Sequence, residues 1–328
     1  RARPDGRLPL LEGLLGGLPA GGGIVAGGSY LSLLNLQSMS SQVPEIGLLA
    51  IGVMLAMCAG NGGIDLSGIA MANLAGVAAG LFALSVTSAA EQPLLFSVIF
   101  ILGCLVVGTL CGVVNGLIIA RLGITPILCT LGTQMLFTGL TVVLSDGRAV
   151  TIGAPELLYQ LGNGMILGVP VSFLIFLIVA LILGVVLRYT PYGQRLMLTG
   201  TNPVAADFNG FPKARILVTT YALSGLLAGL AGAIIAGRNV NVKWDYGTTY
   251  LLIAILIAVM AGVRPEGGHG RVVNVVLAAI ILQLLSSLLN FIGLSNFVRD
   301  LAWGALLLSY RAVGRFALVD RLTGLIGP

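Results

Sequence analysis

Long apolar runs follow one another along this chain, with polar residues gathered in short segments between them. Runs at residues 46–60, 66–84, 94–120, 124–144, 168–187, 215–236, 248–262, 272–292 and 297–308 read as helical segments. An earlier run at 8–28 is weaker, broken by Pro19 and several glycines, and a polar stretch from Ser29 to Pro44 with Asn35 and Gln37 follows it. Crossing the ~30 Å hydrocarbon core of a bilayer takes roughly 20 apolar residues in a helix, and most of these runs approach or exceed that length. They lack the period-two alternation of transmembrane barrel strands. The pattern predicts an all-α polytopic membrane protein with about ten transmembrane helices.

Composition sharpens this reading. Of the 328 residues, 57% are apolar and 9% charged, and the mean hydropathy is +1.03. A soluble domain carries about 25% charged residues, so a soluble enzyme, a disordered chain and a nucleic-acid binder all fit poorly. The 47 glycines predict tight packing, because small residues let membrane helices approach closely. Cys58, Cys104, Cys111 and Cys129 lie inside apolar runs without metal-site or disulfide spacing and read as inert buried thiols. No secretory signal is legible in the basic opening Arg1-Ala2-Arg3-Pro4, and the lack of an initiator Met there reads as a trimmed N-terminus.

The basic residues mark topology. Threading the spans with the N-terminus inside leaves Arg148, Arg238, Lys243 and Arg299 outside and the other 13 of the 17 basic residues inside, as the positive-inside rule requires. Both termini are then expected in the cytoplasm. The outer loop 145–167, with Asp146, Arg148, Glu156 and Tyr159 among glycines, reads as a lid or docking element. Within the inner loop 188–215, Asn202 is a good helix N-cap, Pro203 suits the first helical position, Val204, Ala205, Ala206, Asp207 and Phe208 supply one to two turns, and Gly210 is a natural stop.

Candidate chemistry is sparse. Asp65 is the one acid read well inside an apolar block, within Asn61-Gly62-Gly63-Ile64-Asp65-Leu66-Ser67-Gly68, and an ionisable group at membrane depth marks a functional candidate. The surrounding glycines predict broken helix, with the Asp65 carboxylate capping the helix that follows. Among other polar residues within the spans, Ser67, Asn73, Asn115, Gln134 and Asn290 are the candidates to line an aqueous path for a polyhydroxylated solute, set against the commoner role of such groups as interhelical glue. His269 sits in the glycine-rich inner segment 266–271 and reads as a loop residue. No row of buried acids or histidines suggests a proton relay, and no phosphate-binding loop, H-E-x-x-H or G-x-S-x-G pattern is present. If ATP drives this protein, another subunit must bind it.

Several segments carry a family resemblance. Gly63-Ile64-Asp65-Leu66-Ser67 resembles the G-I-D-L-S signature of bacterial ABC sugar-importer permeases of the ribose and autoinducer-2 type, within the branched-chain amino acid/ribose permease superfamily. Thr130-Leu131-Gly132-Thr133 resembles the family's T-L-G-T. Residues 200–210 with 221–232 are similar to its cytoplasmic coupling region and the span after it, and Gly267-Gly268-His269-Gly270-Arg271 resembles its glycine-rich inner loop. The chain departs from the pattern in Gly68-Ile69-Ala70, and in Thr138-Gly139 where many sugar permeases carry Arg-Gly, so a contact made by that arginine is not carried over.

The resemblance implies a single transmembrane permease domain over residues 1–328. It would pair with a second copy or a related permease, take a pentose-like sugar or autoinducer-2-like molecule from a periplasmic solute-binding protein, and bind no cofactor itself, ATP-Mg sitting on partner ABC ATPase subunits. It places the chain in the bacterial inner membrane, in contact with lipid and with no nucleic-acid partner. Residues 202–208 and Gly210 would dock on the ATPase. By span parity, residues 46–144 and 215–308 enter the membrane from opposite sides, an arrangement that fits an inverted repeat. An ion-coupled secondary carrier, with Asp65 holding the cation, is the alternative; an intramembrane enzyme lacks a nucleophile and base.

Overall fold

The computed structural model describes residues 33–291, 293, 301–306 and 308–309. The weak run at 8–28 lies outside these residues, as does part of the run at 297–308. Long helices dominate: α1 (Leu33–Cys58), α2 (Gly68–Val86), α3 (Pro93–Leu122), α4 (Pro126–Ser145), α6 (Val171–Tyr189), α9 (Lys213–Asn239) and α11 (Val272–Phe291). Among the described residues these 7 contain helical stretches long and apolar enough to cross a membrane. Shorter helices are α5 (Glu156–Asn163), α7 (Pro191–Thr201), α8 (Pro203–Phe208) and α10 (Tyr250–Met260). At 11 residues, α10 falls short of a full crossing, although 248–262 reads as a span in the sequence.

The polar stretch from Ser29 to Pro44 is helical from Leu33 onward, because α1 runs through Pro44 to Cys58. Leu36, Met39, Val43 and Ile46 fall at helical spacing, which outweighs the serines between them. The segment 145–167 holds a helix and short strands: β1 (Val150–Thr151) pairs antiparallel with β4 (Asn241–Val242), and β2 (Met165–Ile166) with β3 (Val169–Pro170). Leu158 of α5 is buried and Asn163 Nδ2 donates to the Gly237 carbonyl at 3.0 Å, so the segment is seated on the end of α9.

Ser40–Ile280 forms one compact unit, and the described residues outside it belong to a second. The core of the first is the antiparallel pair α3 and α9, which pack along most of their lengths with α2 beside them. Glycines at four-residue spacing make this approach. A Cβ on Gly225 would lie 2.1 Å from the Gly108 carbonyl oxygen, one on Gly112 2.1 Å from that of Tyr221, and one on Gly229 2.2 Å from that of Cys104. Backbone meets backbone there, which lets dispersion and Cα–H···O contacts act where lipid supplies no hydrophobic drive between helices.

This antiparallel pairing sorts the charges. Arg121 at the end of α3 comes to the start of α9, with Lys213 and Arg215, while Arg238 and Lys243 fall at the opposite end near β1 and Arg148.

Candidate functional site

Helix is interrupted between Cys58 and Gly68, and Asp65 sits in the gap, 1% exposed. A buried carboxylate must be met by donors or it loses its charge. Here Oδ1 accepts from the Ser67 backbone N–H at 3.0 Å and the Ser67 hydroxyl at 2.7 Å, and Oδ2 accepts from the Ser224 hydroxyl of α9 at 2.7 Å. Asn115 Nδ2 of α3 donates to Ser67 Oγ at 2.8 Å, completing a directed chain from amide to hydroxyl to carboxylate. Thr130 Oγ1 of α4 bonds the Ile64 carbonyl at 3.0 Å, taking up an acceptor of the broken segment. The expected capping is thus met one step early: Asp65 holds the N–H of Ser67, which is itself the N-cap of α2 and makes no side-chain cap bond. Its second oxygen ties the break to α9. Beside the carboxylate lies a crevice of about 10 Å³, the size of one water, whose apolar wall includes Leu49, Val53, Ile69, Leu251 and Ala254.

The other sequence candidates fall in different places. Ser67 and Asn115 belong to the Asp65 network. Asn73 is buried on α2 and donates from Nδ2 to the carbonyls of Trp244 at 3.0 Å and Tyr246 at 2.9 Å, holding the segment before α10 against the bundle. Gln134 is half-buried on α4, and Asn290 is exposed on α11 in the second unit. Asp65, Ser67 and Asn115 are therefore brought together, whereas Asn73 holds the segment before α10 and Gln134 lies apart on α4. All four cysteines are free and buried. Among the described residues no group of 3 or more His, Cys, Asp or Glu gathers.

Sequence reading missed a second buried acid. Glu45 of α1, 1% exposed, forms an ion pair with Arg238 of α9 at 2.9 Å and accepts from the Tyr250 hydroxyl at 3.1 Å. Its signal was present in the helical spacing of Met39, Val43 and Ile46, which carries α1 across Pro44 and puts Glu45 within a helix.

The segment between α6 and α9 is mostly helical. Asn202 Oδ1 accepts the Ala205 N–H at 2.9 Å and caps α8, Pro203 occupies its first turn, and Gly210 follows with a φ of +71°. Ala206 faces inward, but Val204 is 63% and Phe208 88% exposed. Before it, α7 is pinned to α9 by the Tyr192 hydroxyl, 3.0 Å from Thr220 Oγ1, and burial pushes the Tyr192 phenol up to about 12. The end of α7 enters a glycine junction. A Cβ on Gly200 would stand 2.0 Å from the Cys58 carbonyl oxygen, and one on Gly267, whose φ is +107°, 2.4 Å from Gly60 Cα. Gly268 N–H donates to the Cys58 carbonyl at 3.1 Å. The residues just before α8, the loop 264–271 and the end of α1 thus meet at backbone distance, with Gly60 five residues from Asp65.

A bundle of apolar helices, broken at a buried carboxylate and carrying a capped, outward-facing helix between two spans, has the build of a multi-pass membrane transport subunit. The chain belongs to the family described as branched-chain amino acid transport system/permease component, which it matches over residues 35–310. It is 35% identical over 282 residues to the ribose import permease protein RbsC of Bacillus subtilis, covering 85% of this chain and 84% of that one. It is 30% identical over 281 residues to the autoinducer 2 import system permease protein LsrD of Photorhabdus temperata, covering 84% and 81%. No solved structure matches it significantly.

Proposed function

We propose that this chain is the permease subunit of an ATP-driven ABC importer that carries a small hydrophilic solute, a pentose-like sugar or an autoinducer-2-like molecule, across the bacterial inner membrane. The observation that carries the mechanism is α8. Val204 and Phe208 stand four residues apart on one face of a capped helix and are open to solvent, as a knob for a partner's groove would be. They sit on the chain between Arg188, Arg195 and Lys213, the basic stretch that the positive-inside rule assigns to the cytoplasm. On this reading the inner loop 188–215 docks on ABC ATPase subunits, which hold ATP-Mg, and the loop 145–167 faces the periplasm and a solute-binding protein.

Closure of the ATPase pair would displace α8. The glycine junction would pass that displacement to the end of α1 and the broken segment at Asp65 as a rigid shift, because backbones in direct contact leave no side chain to absorb it. A second permease copy or related permease completes the translocation unit. Both termini inside, about ten spans, one domain over 1–328 and an inverted repeat of 46–144 with 215–308 remain part of this proposal. Ion-coupled transport through Asp65 is disfavoured, since both carboxylate oxygens already accept hydrogen bonds from serine.

The test reconstitutes the chain with its ATPase and solute-binding protein in vesicles. Changing Phe208→Ala together with Ala205→Glu is expected to lower solute-stimulated ATP hydrolysis and uptake about 10-fold or more, as removal of an interface anchor does, with normal insertion. Uptake by the chain alone under an ion gradient would reject the proposal.

A further inference from the structure

Next to the glycine junction, where α6 ends, α11 begins and the loop 264–271 turns back, lies a cavity of about 600 Å³. Arg188, His269 and Arg271 line it together with apolar Leu187, Met197 and Val273, and among the described residues no acidic one does. Neither arginine is in a salt bridge among the described residues, where such bridges join Arg238 to Glu45 and Lys243 to Asp245. Two guanidinium groups concentrated in a concave, partly apolar site, with no acidic side chain among the described residues beside them, are a place for an anion, and guanidinium groups bind phosphate oxygens in paired N–H···O contacts.

The surroundings say which anion. Leu181, Ile182 and Val185 on α6, and Val273 and Leu277 on α11, present exposed apolar side chains leading away from the cavity. Tyr189, 68% exposed, lies beside Arg188 with the guanidinium carbon 5.3 Å from the ring centre, an aromatic and a cation together at the end of a span as at a membrane–water interface. We propose that this cavity holds the phosphate headgroup of an acidic phospholipid, with Arg188 and Arg271 on its oxygens, the His269 ring at its rim, and the acyl chains along the exposed faces of α6 and α11. Basic pockets between transmembrane helices on the cytoplasmic side suit such headgroups. An occupied site braces the loop whose Gly267 and Gly268 form the junction with α1 and α7.

The test is native mass spectrometry of the full-length chain in detergent, titrated with phosphatidylglycerol or phosphatidylcholine. Phosphatidylglycerol is expected to bind preferentially. The variant Arg188→Gln/Arg271→Gln should bind it about 30-fold more weakly, and each single variant about 5-fold, with phosphatidylcholine binding unchanged. The single variants give a reading even if the double variant does not fold, and Arg121→Gln, outside the cavity, should leave the preference intact. Equal binding of the two lipids by the wild type, or undiminished phosphatidylglycerol binding by the variants, overturns the proposal. Full displacement of the lipid by millimolar inorganic phosphate would make this a free-anion site, and its release on adding the ATPase subunit would make it a protein-docking face; either overturns it too.

Discussion

Asp65 illustrates how a buried carboxyl group is accommodated in a membrane protein. Three hydrogen bonds, two of them from hydroxyls that are themselves buried, replace the water it gave up. Removing an acceptor from buried donors costs the desolvation of each, so Asp65→Ala is expected to destabilise the protein by about 3 kcal/mol or more and Ser224→Ala by about 1.5, measured by reversible unfolding in detergent. An unaltered unfolding curve for Asp65→Ala would show that the network is not structural. Glu45 and Arg238 make the second test at this scale. Arg238→Gln leaves the Glu45 carboxylate buried without its countercharge and should cost about 3 kcal/mol, while the double variant Glu45→Gln/Arg238→Gln recovers most of that loss. Additive losses would contradict a direct coupling between them.

At the scale of elements, the α3–α9 contact depends on having no side chain at Gly108, Gly112, Gly225 and Gly229. Gly225→Val would push a branched side chain into the Gly108 carbonyl, and overpacking of this kind costs about 1–3 kcal/mol; size-exclusion after detergent extraction should show less folded protein. Substitution in the glycine junction has a different expected signature. Gly267→Ala brings a methyl group against Gly60 in a backbone conformation that L residues rarely adopt, so it should uncouple solute-stimulated ATP hydrolysis from uptake before it prevents membrane insertion. Helices and caps of this kind were legible locally: the Asn202-Pro203 start of α8 and the break around Gly60–Gly63 follow from residue types at fixed offsets. The reach of α1 back to Leu33 was obscured because serines and Pro44 resemble a loop until the spacing of the apolar positions is counted.

For the whole molecule, the ends of the first compact unit are distinguished by the number of basic residues, with Arg121, Arg188, Arg195, Lys213, Arg215, Arg264 and Arg271 at one and Arg148, Arg238 and Lys243 at the other. With the end richer in basic residues in the cytoplasm, as the positive-inside rule requires, a single cysteine placed at Gly147 should react with a membrane-impermeant maleimide added outside spheroplasts, and one at Asn209 only after permeabilisation. The reverse result would invert the topology. Bilayer residence, the approximate spans, the bias of the basic residues and the motif that carries Asp65 were all present in the linear sequence, because hydropathy, charge placement and turn chemistry act over neighbouring residues. Only the tertiary structure decided what those residues meet. Ser224 lies 159 positions from Asp65 and Tyr250 lies 205 from Glu45, and no local pattern states which face of one helix will be pressed, glycine to glycine, against another.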